Sequence, residues 1–157
     1  MKVLAVIPAR HAAQRFPGKP LAPLAGRPMV RWVYEAARRA LPGAVVVATD
    51  DERIRSAVRA FGGEAVMTSD RCRSGTDRVA EVARRIRADL YLNIQGDEPL
   101  MTTRTVRRVL ALHRDASVAM GTAATALAKA DWGNPNAVKV LTDRRGDALY
   151  FSRGALP

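Results

Sequence analysis

Apolar runs of strand length alternate with segments of helical period along most of this chain. Val3 to Ile7 is a continuous apolar run, the pattern of a strand buried on both faces. From Pro28 onward, Met29, Val33, Ala36 and Ala40 recur at helical spacing. Pro28 suits the first helical position, where its missing N–H costs nothing. Val45 to Thr49 reads as a second strand, and Asp50-Asp51 closes it with carboxylates that can cap the next helix. That helix carries Ile54, Ala57, Val58 and Phe61 on one stripe and ends at Gly62-Gly63. Ala65 to Thr68 is a short third strand. Ser74 or Thr76 then caps a helix with Val79, Val82, Ala83 and Ile86 on its stripe. Leu90 to Ile94 is a fourth strand, and Thr102 or Thr103 opens a helix carrying Val106, Val109 and Leu110.

Strands and helices in that rhythm predict a three-layer α/β/α, Rossmann-like fold with a mostly parallel sheet. At 157 residues the chain predicts one domain, residues 1–157. Ligands of such sheets bind beyond the carboxyl ends of the strands. Four loops then share one rim: 8–19, 49–50, 68–78 and 95–99. After Ser117 the rhythm changes. Val118 to Thr125 and Ala137 to Thr142 read as strands, Asp143 to Asp147 as a turn, and Leu149-Tyr150-Phe151 as the start of another strand. A chain stopping soon after a strand predicts a domain incomplete at its C-terminus.

Composition narrows the class without changing it. The apolar fraction of 48% and the low aromatic content of 5% suit a globular α/β protein. The apolar runs are far shorter than a membrane span, the N-terminus has no signal-peptide core, and the single cysteine, Cys72, suits a reducing cytoplasm. No membrane association is expected. The net charge of +11 raises nucleic-acid binding. However, arginine supplies 22 of the 26 basic residues, and most fall where a helix faces water. No basic run is interleaved with aromatics that could stack bases, so no nucleic-acid partner is expected.

The candidate chemistry lies on the shared rim. In the loop 8–19, Ala9, Ala12, Ala13 and Gly18 leave room for close backbone approach, while Arg10, Arg15 and Lys19 supply charge. Small residues and cations directly after a buried strand predict a phosphate cradle, and with it a nucleotidyltransferase. The loop is neither a Walker lysine loop nor a G-x-G-x-x-G turn. In Gln95-Gly96-Asp97-Glu98-Pro99, a carboxylate at a strand end faces the cradle, where Mg²⁺ would be shared with phosphate oxygens and water. Asp97 is the first candidate ligand, and Glu98 could instead orient a neighbour. In Arg73-Ser74-Gly75-Thr76-Asp77-Arg78, capping alone would explain the hydroxyls. Gly75 also leaves backbone groups open at the rim, where they could read a base edge. His11 sits in the cradle loop and reads as a structural or phosphate-side group rather than a general base.

The segments P-A-R (8–10), R-F-P-G-K-P-L (15–21), G-R-P-M (26–29), A-T-D (48–50), S-G-T-D-R (74–78), Q-G-D-E-P (95–99), N-P-N-A-V-K-V (134–140) and A-L-Y-F-S-R (148–153) occur in one order along the whole chain. Together they resemble the 3-deoxy-manno-octulosonate (Kdo) cytidylyltransferase family, the CMP-Kdo synthetases. That resemblance implies Mg²⁺-dependent transfer of CMP from CTP to Kdo with loss of pyrophosphate, for lipopolysaccharide synthesis in the cytoplasm. It implies that Ala9, Arg10 and Lys19 bind the nucleotide's phosphate side and that Ser74, Gly75 and Gln95 lie at the nucleotide. Arg10, Arg15, Lys19 and Asp97 would serve catalysis, with Asp97 as the metal ligand, and Arg15 and Arg153 would approach the acidic sugar. Two departures stand out. Cys72 occupies a position where the family usually has histidine. The family also continues past Pro157 with a second metal-binding aspartate, more of the sugar pocket and much of a homodimer contact. Alternative readings are a cytidylyltransferase for a related acidic sugar, such as sialic acid or an amino-Kdo, and a nucleotide-binding remnant without activity.

Overall fold

A computed structural model describes residues 1–12 and 16–156 of the chain. Its elements run β1 (Val3–Pro8), β2 (Pro23–Leu24), β3 (Arg27–Pro28), α1 (Met29–Ala40), β4 (Val45–Thr49), α2 (Glu52–Ala60), β5 (Ala65–Met67), α3 (Gly75–Arg85), β6 (Leu90–Asn93), α4 (Thr103–Leu112), β7 (Lys139–Thr142) and β8 (Ala148–Ser152). Short 3-10 turns lie at Lys19–Leu21 and Lys129–Asp131. The chain forms two compact units, Met1–Ala111 and Leu112–Pro157.

In the first unit four strands form a sheet in the order β5-β4-β1-β6, and every pairing is parallel. The unbroken apolar run of β1 follows from its central place. Ala5 and Ile7 pack with Val30, Val33 and Ala37 of α1 and Ile54 and Val58 of α2. Leu4 and Val6 point the other way, toward Val82 of α3 with Val79 and Ile86 around it. Alternate side chains of one strand thus enter two cores, and each fully buried valine or isoleucine contributes roughly 1.5–3 kcal/mol. This is the three-layer α/β/α arrangement that the hydrophobic pattern predicts.

The helix starts follow the sequence closely. Asp51 caps α2 by accepting the Arg53 N–H at 2.9 Å. Of the two hydroxyls before α3, Ser74 is the cap: its Oγ accepts the Asp77 N–H, and the Asp77 side chain accepts the Ser74 N–H in return. At α4, Thr102 Oγ1 accepts the Thr105 N–H. Pro28 differs from expectation. It pairs with Pro23 in the β2–β3 ladder and precedes α1 in an extended conformation, so Met29 is the first helical residue. Two-residue strands are too short to leave a periodic pattern, so the sequence carries no mark of this β2–β3 hairpin.

The second unit holds the antiparallel pair β7–β8. Its connection is tied by Asp143, whose carboxylate accepts the N–H groups of Arg145 and Asp147 at 2.8 and 2.9 Å. The strand expected at 118–125 does not form. Alanine and glycine, both depleted in strands, make up four of its eight residues, and no ladder partner among the described residues pairs with it. Its start is held by a turn instead, with the Val118 carbonyl bonded to His113 Nδ1 at 3.0 Å. No helix among the described residues is long and apolar enough to cross a membrane.

Candidate active site

The chain runs from β1 outward through β4 to β5, then returns across the sheet to place β6 on the other side of β1. At such a reversal the loops leaving β1 and β6 diverge and open a crevice at the carboxyl ends of the strands. A cleft of about 540 Å³ lies there, lined by Pro8, Ala9, Arg10, Phe16, Lys19, Pro20, Ser74, Gly75, Arg78, Gln95, Gly96 and Asp97.

Three segments build it. Beyond β1, the Ala9 N–H still donates to the Ala48 carbonyl at 2.9 Å, so Ala9 stays buried and the chain leaves the sheet at Arg10. The loop closes where the Gly18 N–H donates to the His11 carbonyl at 2.8 Å. Gly18 has φ +72°, and a Cβ there would stand 3.1 Å from His11 Nε2, so both backbone and space call for glycine. The 3-10 turn that follows carries Lys19 over the cleft.

After β6, Gly96 passes so close to β1 that a Cβ would lie 2.7 Å from the Pro8 carbonyl oxygen. That approach sets Asp97 opposite Lys19, and Lys19 Nζ donates to Asp97 Oδ2 at 2.8 Å across 78 positions of sequence. Both side chains remain accessible, at 35% and 51%. The third wall is the N-terminus of α3. Its capping box draws the Asp77 carboxyl below its usual range, chiefly through the Ser74 N–H and hydroxyl. A Cβ on Gly75 would touch the Pro8 ring at 3.3 Å, so the helix start is seated against the end of β1.

The structure therefore brings Ala9, Arg10, Lys19, Ser74, Gly75, Gln95 and Asp97 into one cleft. Arg15, and Ala13 of the expected cradle, lie outside the described residues. Arg153 lies in the second unit, where its Nη1 donates to the Pro135 carbonyl at 3.1 Å. Glu98 does not line the cleft; its N–H donates to the Gln95 carbonyl in the turn that carries Asp97. Cys72 is not among the lining residues. Its Sγ donates to Glu81 Oε2 at 3.3 Å, and burial with the Glu81 carboxylate pushes the thiol pKa up. The sequence places Pro8, Phe16, Pro20, Gly96 and Arg78 in or beside the rim segments but assigns none of them a role of its own as a lining residue. A signal existed for the last of these: Arg78 precedes Val82 by one helical turn, which puts an arginine on a buried stripe.

Among the described residues no group of three or more His, Cys, Asp or Glu side chains is arranged to hold a metal ion. Asp97 is nevertheless an accessible carboxylate lining the cleft, and one carboxylate suits Mg²⁺ where phosphate oxygens and water complete its octahedron.

A family model of cytidylyltransferases matches residues 4–157. A 3-deoxy-manno-octulosonate cytidylyltransferase of Geobacter metallireducens is 55% identical over 160 residues, covering 100% of this chain and 63% of that protein. The enzyme of the same name from Myxococcus xanthus is 52% identical, covering 99% of this chain and 64% of that protein. Among solved structures, a CMP:2-keto-3-deoxy-manno-octonic acid synthetase complexed with CTP superposes with a TM-score of 0.89 at 46% identity, covering all of this chain and 66% of that one. The chain thus spans a little under two thirds of the length of these relatives. The resemblance read from the motifs holds at the level of family and fold, and the chain belongs to the cytidylyltransferase family.

Proposed function

We propose that this chain carries the nucleotide-binding half of a 3-deoxy-manno-octulosonate cytidylyltransferase, which joins CTP and Kdo into CMP-Kdo and releases pyrophosphate. The observation that carries this reading is the Lys19–Asp97 pair, set across a cleft at the sheet's reversal point. The names of the relatives supply the nucleotide and the sugar.

In this reading Arg10 and Lys19 bind the triphosphate, the first as a fork and the second as a point charge. Ala9 lets the backbone approach the phosphates, and Ser74, Gly75 and Gln95 line the nucleoside side. Lys19 turns from Asp97 to the phosphates when CTP enters, which leaves the Asp97 carboxylate to hold Mg²⁺. The metal, when bound, neutralises charge on the phosphate oxygens. Kdo is an anion and CTP a polyanion, so Arg10, Arg15 and Lys19 lower the repulsion between them, and the family resemblance gives Arg153 a role toward the sugar. The sugar's anomeric hydroxyl attacks the α-phosphorus and gives up its proton to solvent, a new P–O bond forms, and the bond to pyrophosphate breaks in line. Most of the rate comes from positioning and charge neutralisation. We place the reaction in the cytoplasm, ahead of lipopolysaccharide assembly, and assign the active protein a homodimeric state.

Calorimetry with CTP and Mg²⁺, and pyrophosphate release with Kdo by the protein containing this sequence, test the reading. CTP is expected to bind in preference to ATP and UTP, and pyrophosphate to appear only when Kdo is present. Lys19→Ala should weaken CTP binding by on the order of tenfold, the loss of one charge-assisted contact. Asp97→Asn should abolish Mg²⁺-dependent turnover. Both variants should unfold within about 1 kcal/mol of the parent, because an exposed ion pair is worth little to stability. A chain that ignores CTP sinks the proposal, and release with sialic acid but not Kdo reassigns the sugar.

A further inference from the structure

The motif 74–78 ends in an arginine for which the nucleotide reading has no use, and the structure buries it. Arg78 lies in the first turn of α3 with only 2% of its surface accessible. Its guanidinium has three partners. Nη1 donates to Thr68 Oγ1 at 2.7 Å and to the Ser69 carbonyl at 3.2 Å, and Nη2 donates to the Asp50 carboxylate. Asp50 is the residue after β4, and Thr68 and Ser69 follow β5. One side chain therefore ties the ends of two strands to the helix whose first residues wall the cleft.

The tied segments are themselves fixed. The Thr68 N–H donates to the Thr49 carbonyl at 2.8 Å, and the Ser69 N–H to Glu81 Oε2 at 2.9 Å. On the cleft side Gly75 is seated on the Pro8 ring, and Arg78 itself lines the cleft beside Ser74 and Gly75. For stability alone, an apolar side chain of similar volume would serve as well or better, because burying a charge is costly even when it is paired. What an apolar residue cannot do is fix direction. Three acceptors at set angles hold the guanidinium plane, and the first turn of α3 moves only if that plane moves.

We infer that Arg78 is a positioning residue for the nucleoside end of the cleft. It holds the Ser74–Gly75 wall at its distance from Pro8 and does not grip phosphate. Lys19 and Arg10, on the β1 loop, serve the phosphate end in the proposed function, and none of the three acceptors of Arg78 belongs to that loop. This inference rests on the proposal that the cleft takes CTP.

Because the two ends of the cleft are separate, two probes distinguish positioning from general support. Calorimetry is run with CTP and with pyrophosphate, each with Mg²⁺, at a temperature where circular dichroism shows every variant folded. Arg78→Met is expected to lower CTP affinity by on the order of tenfold or more, as displacement of a contact wall does. Pyrophosphate affinity should stay within about twofold, below a half-kcal/mol change. Equal loss for both probes, or loss for neither, overturns the inference. If Arg78→Met does not fold, Asp50→Asn keeps the guanidinium and weakens one tether. The same selective loss, smaller in size, is then expected, and unchanged CTP affinity overturns the inference. A wild-type chain that binds pyrophosphate but not CTP overturns the cytidylyltransferase reading itself, and the role of Arg78 falls with it.

Discussion

Gly96 shows how a single missing side chain decides the site. Its Cα lies so near β1 that an added methyl would meet the Pro8 carbonyl oxygen at 2.7 Å, and a backbone oxygen cannot rotate away as a side chain would. Gly96→Ala therefore forces the ends of β1 and β6 apart and carries Asp97 away from Lys19. The expected cost is about 1–3 kcal/mol in denaturant unfolding, the usual range for overpacking, together with weakened CTP binding. Gly133→Ala is the control, because nothing stands within 4 Å of a Cβ there; it should be neutral to within about 0.5 kcal/mol. Equal effects from the two substitutions would show that the close approach is not what matters. At this scale the sequence displayed the residue types of the site but not their closeness. The sequence marks Lys19 for phosphate and Asp97 for metal separately, and their direct pairing appears only in three dimensions.

At the scale of elements, helix α2 is anchored by Asp51, which accepts the Arg53 N–H and also pairs with the Arg53 guanidinium. Those contacts, the side-chain bond to Arg53 foremost, lower the Asp51 pKa from 3.8 to about 2. A carboxyl depressed on folding adds stability above its unfolded value, and that contribution is lost as pH falls through its folded value. The Asp51 contribution is accordingly complete above about pH 4 and fades toward pH 2. Asp51→Ala should cost about 1 kcal/mol at neutral pH, the worth of an N-cap. The gap between variant and parent should narrow over that acid window in urea unfolding, and a gap independent of pH would assign the effect to something other than the carboxylate. Most elements were legible because period and caps agree: β4 ends at the acidic pair, and α3 begins at Ser74. The segment 118–125 was not legible. A strand is completed by its ladder partner, and local composition does not reveal whether one is present.

At the scale of the whole molecule, the second unit exposes apolar side chains in a run. Leu149, Tyr150 and Phe151 of β8 are 68%, 59% and 52% accessible, so apolar side chains of this strand stand exposed on both sides of the β7–β8 pair. A two-stranded sheet is marginal by itself, and an exposed apolar strand is a place for another surface to pack. The chain should therefore self-associate as its concentration rises. The double substitution Leu149→Thr, Phe151→Thr keeps strand propensity while removing apolar area, and should shift sedimentation toward the monomer. A parent that sediments as a monomer at every concentration would remove the support β8 gives to a homodimer.

The sequence alone determined the layers, because helical segments of period 3.6 must bury their apolar stripes, and strand-length runs apolar throughout must lie between two such layers. It also marked the rim, since glycine, cations and carboxylates at strand ends have little use in a core. The tertiary structure decided what those residues do together. Strand order placed β6 beside β1 rather than beyond β5, and that placement opened the cleft where the chain reverses. It set Asp97 against Lys19 and seated α3 on Pro8. It also buried Arg78 among acceptors from two other strand ends. These are contacts between residues 9 to 78 positions apart, and local pattern carries no record of which distant segments will meet.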